Sequence, residues 1–383
     1  MVTKSRVALL CPGIGRAYRG YERFASELFR AVRDRTPLVL FKGEGDRQRN
    51  STVVGGAGRD SVLSVALERF GKDRYFWEAL SFGLLVWPRV LAGRFDLMHY
   101  SEPPLNAVFS RLERVTPGSP RRLFSHALNM GPEHCLRCHH LHQVSPVAYE
   151  RAREFGVPEN RMTLLPYGIE TASFSRLDQA RRVEIRQKHG IPATAPVVLC
   201  VAAINRGHKR VDWLMKAVAG CRDDLHLVLC GKLEDESVLH DAAGVLRGRV
   251  THLYADPESM NEVYNLADLF VLPSLEEGFG LVVVEAVLAG LPVIVHDSPH
   301  FRWLLGERWR TFADMNSLTS LIGSLRGALQ RLSDLASEGV SLRQELVARY
   351  DWANLAGDYL KMYERAMAAP AATIERELGR MRS

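Results

Sequence analysis

The stretch from Val271 to Val295 reads VLPSLEEGFGLVVVEAVLAGLPVIV. Glu277 and Glu285 stand in it with Gly278, Phe279 and Gly280 between them, followed by an apolar run that starts at Leu281. Carboxylates accept hydrogen bonds from hydroxyl groups. Glycines let backbone come close to a ligand. A helix beginning near Leu281 would aim its free N-terminal amides at the turn before it, which is an anion site suited to phosphate. Glu285 then falls about one turn into that helix. There it is either a residue favoured by the helix dipole or an acceptor for sugar hydroxyls beside a phosphate. The stretch alone does not separate the two readings.

A second chemical candidate is CLRCHHLH, residues 135–142. Cys135, Cys138 and His139 match the attachment pattern of a c-type haem, but that chemistry needs export. Cys135 and Cys138 with two of His139, His140 and His142 would make four zinc ligands. Ligands so close in sequence rarely wrap a tetrahedron unaided, and His142 reads as part of a strand. The expectation is a plain loop and no metal.

These residues need elements to hold them. Short apolar runs alternate with amphipathic stretches. RVALLCPG and PLVLFKG read as strands around the helix YERFASELFRAVRD. FDLMHYS, RRLFSH and LHQVS follow as strands, and PVAYERAREFG as a helix closed by Gly156. After the charged segment 178–196 the alternation restarts with VVLCVAAI, the helix VDWLMKAVAGC, then LHLVLCG and VTHLY as successive strands. SMNEVYNLA, LFVLPS, LVVVEAVLAG and PVIVHD complete it. Two βα series predict two parallel sheets with helices on both faces, and a ligand cleft at the carboxyl ends of the strands. LEEGFG lies at such an end.

The length of 383 residues suits two domains. The net charge of +6 is uneven: residues 1–170 hold 25 Lys and Arg against 17 Asp and Glu, and the rest 25 against 27. A basic first half is either a solvated arginine-rich surface or a face for phosphates or an anionic membrane. YFWEALSFGLLVWPRVLAGRF, residues 75–95, is a core helix pair or a lipid-facing surface, and the core reading is preferred. No apolar run is long enough to span a bilayer, and the first is too short for a signal-peptide core. The expected location is the cytoplasm, with peripheral contact at the inner membrane surface as the open alternative. The six scattered cysteines do not suggest a disulfide framework.

EEGFGLVVVEAVLAGLPVIV resembles the spaced-glutamate signature of the retaining family-4 glycosyltransferases, which have the GT-B fold. NRGHKRVDWLMKAV (205–218), LHLVLCG, QVSPVAYERAREFGVPENRMTLLPYGIETASF, GYERFASELFRAV and DWANLAGDYLKMYERA resemble other segments of that family, in the right order. The resemblance implies two Rossmann-like doubly wound domains facing across a cleft. Residues 1–174 would form the acceptor-side domain, joined by a C-terminal helix, 358–383, that crosses back to it. Residues 175–357 would bind the nucleotide sugar.

By the same resemblance, Lys209 and Arg206 neutralise the departing diphosphate, with Arg210 a weaker candidate because it neighbours Lys209. Glu277 contacts the transferred sugar near its reacting face, and Glu285 binds ribose hydroxyls. The amides around Gly278, Phe279, Gly280 and Leu281 hold phosphate or sugar oxygens. Gly20 lies beside the diphosphate, although Arg19 replaces the first glycine of the family's usual pair. His126 contacts the donor sugar or steadies the transition state. Glu22 is a first-turn residue with a structural or a functional role. Tyr167 stands where the family more often has asparagine.

The implied reaction is retaining sugar transfer from a nucleotide diphosphate sugar to a hydroxyl acceptor, with no cofactor and no metal. Two alternatives share the fold: a non-catalytic nucleotide-sugar-binding protein, and an epimerase or phosphorylase.

Overall fold

A computed structural model describes residues 5–127, 130–222 and 224–382. The chain divides into two compact units: Met1–Ile169 with Trp352–Ser383, and Glu170–Asp351.

The first unit holds seven parallel strands: β1 (Val7–Cys11), β2 (Leu38–Lys42), β3 (Ser51–Val53), β4 (Leu97–Tyr100), β5 (Arg121–His126), β6 (His140–Gln143) and β7 (Met162–Leu164). Their spatial order is β3-β2-β1-β4-β5-β6-β7. β1 is an inner strand, with Val7 opposite both Leu38 and Leu97, and all five of its residues are buried. Such unbroken apolar runs are what a parallel sheet covered on both faces requires. The second unit repeats the plan with β8 (Val197–Val201), β9 (His226–Cys230), β10 (Val250–Leu253), β11 (Leu269–Val271), β12 (Val293–His296) and β13 (Phe312–Ala313). Its order is β10-β9-β8-β11-β12-β13. Each sheet reverses its strand order once, between β1 and β4 and between β8 and β11. The loops after those strands diverge and leave a crevice.

Helix ends follow local chemistry. The helix Pro146–Glu154 starts where the Ser145 hydroxyl accepts from Ala148 N (3.2 Å) and is followed by Gly156 at φ 102°. The helix Gln179–Lys188 starts on Asp178, which accepts from Arg181 N at 2.8 Å.

Segment 75–95 departs from the expected helix pair. It is one helix, Arg74–Ala92, capped by Asp73. Ala79, Phe82, Val86, Trp87 and Val90 pack into the core. Pro88 sits on its exposed side, away from that core. Between β9 and β10 the structure inserts the helix Glu236–Val245, which the sequence reading passed over. Parallel neighbours cannot be joined without such a crossover.

The C-terminal helix Trp352–Ala368 belongs to the first unit because three aromatic side chains are buried there. Trp352 Nε1 donates to Glu27 Oε2 (3.0 Å), Tyr359 donates to the Pro166 carbonyl (2.8 Å), and Tyr363 lies 3.1 Å from His99 Nδ1. Gly168 lies beneath the Trp352 ring, where a Cβ would come within 2.5 Å of it. The segment beyond docks on the cysteine–histidine stretch. Ile374 N donates to the Cys138 carbonyl and Glu375 N to that of Leu136, both at 2.9 Å. Buried Arg161 ties Glu377 and the carbonyls of His139 and Ala372 together.

Candidate active site

In the second unit β8 and β11 are adjacent, with Leu269 opposite Val198 and Phe270 opposite Leu199. The loops after them therefore emerge side by side although about seventy residues separate them in sequence. The first loop ends on Arg210, held at φ 50° at the start of the helix Val211–Ala219. The second ends on Gly280, held at φ 98° at the start of the helix Leu281–Leu288. That φ favours glycine, and a Cβ there would also press on the Leu304 side chain at 3.0 Å.

The crevice brings Lys209 and Glu277 together: Nζ donates to Oε1 at 2.6 Å. Both side chains are largely buried, at 17% and 11% exposure. An ammonium has three donors, so this contact fixes its position and leaves two for a ligand. The amides of the helix beginning at Leu281 follow directly after Gly280.

The other cations of the loop turn elsewhere. Arg206 is half-exposed and bonds Asp241 (2.5 Å) and Ser237 (3.1 Å) on the next helix. Arg210 donates to the Met315 carbonyl (2.8 Å) and lies over the Trp213 ring.

Glu285 is buried in its helix and accepts from the Tyr264 hydroxyl at 2.7 Å. Phe279 is buried against Trp303 and Tyr350, and its carbonyl lies 2.9 Å from His300 Nε2. Leu281 is buried, while Gly278 is partly exposed. Ser274, in the same loop, is fully buried, and its hydroxyl has no partner among the described residues. Tyr264, His300 and Ser274 were not singled out in the sequence, because no spacing rule links them to the glutamates.

In the first unit Gly20 is exposed and opens the helix Gly20–Val32 after Arg19. His126 ends β5, fully buried, with Nδ1 2.7 Å from Gln143 Oε1 and Nε2 2.8 Å from the Met130 carbonyl. Burial holds its imidazole below the ordinary range. Both ring nitrogens are thus engaged within the unit.

The cysteine–histidine stretch fans out. Cys138 Sγ faces the carbonyls of Cys135 and His140, and burial pushes its thiol up to about 12. His140 meets Thr163, and His142 meets Ser125 and the Leu165 carbonyl. Among the described residues no three His, Cys, Asp or Glu side chains converge as metal ligands. No helix among them is long and apolar enough to cross a membrane.

Residues 181–314 match the family described as glycosyl transferases group 1. The chain is 26% identical over 204 residues to a phosphatidyl-myo-inositol mannosyltransferase of Mycobacterium leprae, covering 52% of each chain. It spans about half the length of the curated relatives it matches.

Among solved structures, the sucrose-phosphate synthase of Thermosynechococcus elongatus superposes with a TM-score of 0.79 at 17% identity, over 95% of this chain and 100% of that one. The HepE protein of Anabaena, in complex with UDP and glucose, gives 0.74 at 14% identity, over 94% and 99%. These structural likenesses establish the expected fold, two Rossmann-like α/β units of the GT-B architecture. The family match and the relatives support a glycosyltransferase.

Proposed function

We propose that the protein moves a sugar, with retention of anomeric configuration, from a nucleotide diphosphate sugar to a hydroxyl acceptor. The observation that carries this reading is the Lys209–Glu277 contact at the strand-order reversal of the second unit, beside the start of the helix Leu281–Leu288.

In this reading the diphosphate lies against the helix amides, and the two free donors of Lys209 meet its oxygens. Negative charge develops there as the sugar departs, so fixed donors lower the barrier. Glu277 stands by the reacting face of the sugar, and Glu285, braced by Tyr264, takes the ribose hydroxyls. Arg206 joins the diphosphate by exchanging its contact with Asp241 for phosphate. In the first unit, His126 has its ring set by Gln143 and the Met130 carbonyl. The acceptor hydroxyl attacks from the side the phosphate leaves. The bond from the anomeric carbon to phosphate breaks, the bond to the acceptor oxygen forms, and a phosphate oxygen takes the proton. The cations and the helix end supply the neutralisation, so the reaction is proposed to need no metal.

Thermal shift against UDP, GDP and ADP tests the donor class, since a ligand bound only to the folded state raises its stability. The matching nucleotide sugar, offered with a panel of hydroxyl compounds, should then release free nucleoside diphosphate and a glycosylated product, with or without chelator. No stabilisation by any nucleotide would overturn the reading. Binding without turnover would favour the non-catalytic alternative, and a strict divalent-metal requirement would remove the metal-free step.

A further inference from the structure

The turn that carries Glu277 runs on through Gly278, Phe279 and Gly280 into the helix Leu281–Leu288. The Phe279 side chain is buried, and its ring stands edge-on to Trp303 and to Tyr350, with centroids 6.0 and 5.5 Å away. Its carbonyl is met from the helix Pro299–Leu305, where His300 Nε2 lies 2.9 Å from it. A carbonyl oxygen only accepts, so Nε2 carries the proton and donates. His300 is 3% exposed. Its ring packs against Phe301 and Trp303, at 5.3 and 6.0 Å. The Arg349 guanidinium lies over Trp303, 5.4 Å from its ring, and donates to the Trp303 carbonyl at 2.9 Å. The Tyr350 hydroxyl donates to the Leu304 carbonyl at 3.0 Å. The imidazole is therefore set by its own helix and by the end of the helix Leu332–Tyr350.

The peptide between Phe279 and Gly280 is trans, so its carbonyl and its N–H point in opposite directions. With the carbonyl drawn toward the helix Pro299–Leu305, the Gly280 N–H points away from that helix. Among the described residues no backbone acceptor meets it. The amides of Leu281 and Val282 come next, the free donors with which a helix begins.

Glycine by itself leaves this orientation open. Turning the peptide plane over changes ψ of Phe279 and φ of Gly280, and glycine accepts φ of either sign. A buried carbonyl left without a donor is costly. The His300 donor thus selects the orientation seen, with Gly280 at φ 98°.

We propose that His300 is a positioning residue: by holding the Phe279 carbonyl it aims the Gly280 N–H, together with the first amides of the helix Leu281–Leu288, at the diphosphate of a nucleotide. That the ligand is a diphosphate rests on the glycosyl-transfer reading; that His300 sets the amide does not. His300 acts through the peptide and not by touching the ligand. A donor fixed in advance stabilises the charge that grows on the departing phosphate.

The test labels the full chain with 13C at the carbonyl of phenylalanine and 15N in glycine. Only consecutive Phe–Gly pairs then give a carbonyl–amide correlation, and the sequence has four, at 70–71, 82–83, 155–156 and 279–280. The Phe279–Gly280 signal is assigned by its absence in Phe279→Leu. In His300→Phe and His300→Leu, which fill the space without a donor, that signal should move and the other three should stay. Affinity for UDP, GDP or ADP, whichever the wild type binds, should fall about tenfold, as loss of one hydrogen bond implies, while affinity for the parent nucleoside stays within about twofold. His300→Gln, whose side-chain amide can donate to the same carbonyl, should restore both signal and affinity. An unmoved signal in both donor-less variants would overturn the proposal, and so would a moved signal with unchanged diphosphate affinity. Equal weakening of nucleoside and diphosphate that glutamine does not rescue would mark a merely structural residue and overturn it as well. A wild type that binds no diphosphate would remove the glycosyl-transfer reading, and the Phe279–Gly280 signal would still decide whether His300 sets the amide.

Discussion

Replacing Glu22 and Glu102 by glutamine should change how stability depends on pH, and the size can be worked out. Each carboxyl binds its proton more tightly in the folded chain than in the unfolded one. Glu22 moves from 4.5 to about 7 and Glu102 from 4.5 to about 8. Between those limits the folded state holds more protons than the unfolded state, so stability falls as pH rises. At about 1.4 kcal/mol per pH unit, the shifts correspond to about 3 and about 5 kcal/mol. The charge of Glu22 enters the shift of Glu102 and not the reverse, so the two add, to on the order of 8 kcal/mol above pH 8 and almost nothing near pH 4.

Buried histidines act in the opposite direction. Burial lowers His140 and His142 to about 4, so the unfolded state takes up protons first as pH falls, and their contribution grows as pH rises. They are present in both proteins and cancel in the difference. Urea unfolding of wild type and E22Q/E102Q, near pH 5 and near pH 8, supplies that difference. The double variant should gain several kcal/mol on the wild type over this interval and be the more stable protein at the upper end. Parallel behaviour of the two proteins would refute the claim that these carboxyls are buried without cations.

Lys209→Ala and Glu277→Ala should each abolish turnover while the circular dichroism spectrum stays that of the wild type; near-normal rates in both would remove the site assignment. The chain should co-sediment with anionic vesicles at low salt through apolar side chains that the fold leaves uncovered, Val62 at 87% exposure and Phe70 at 61%. V62D/F70D should lose that binding, and no wild-type binding would end the membrane expectation. Elemental analysis should find no stoichiometric zinc, because the thiols of Cys135 and Cys138 are held protonated by burial. One zinc per chain would contradict the structure of that stretch.

The fold was legible where burial writes a simple pattern. VALLC, LVLC and PVIV are apolar throughout because each lies within a covered parallel sheet. Legibility failed where a helix carries little apolar contrast. Glu236–Val245 buries only Val238 and Ala242, so its sequence lacks a strong stripe, and only the topological need for a crossover demands it. Arg74–Ala92 was read as a pair because Gly83 and Pro88 look like breaks. Gly83 instead permits close packing, with Leu105 3.0 Å from where its Cβ would be, and Pro88 lies on the outside.

The site was half legible for a related reason. The glutamates of LEEGFGLVVVE stand out because their spacing is local and their glycines have local causes. Which cation meets them is a long-range fact. RGHKR offers Arg206 and Lys209 alike, with Arg210 the weaker candidate, and the sequence cannot say that the left-handed turn at Arg210 sends its guanidinium to Met315 while Lys209 faces Glu277. The reverse holds for CLRCHH, whose local pattern suggested ligands although some of its partners, Ala371, Ile374 and Glu375, come from far along the chain. Glu22 and Glu102 show the limit most sharply. Each looks ordinary alone, a first-turn acid and a residue before a proline. Their significance is a shortage of cations, and a shortage becomes visible only when every neighbour has been placed. Glu78, equally buried, differs from them in nothing the sequence records except the two arginines that reach it.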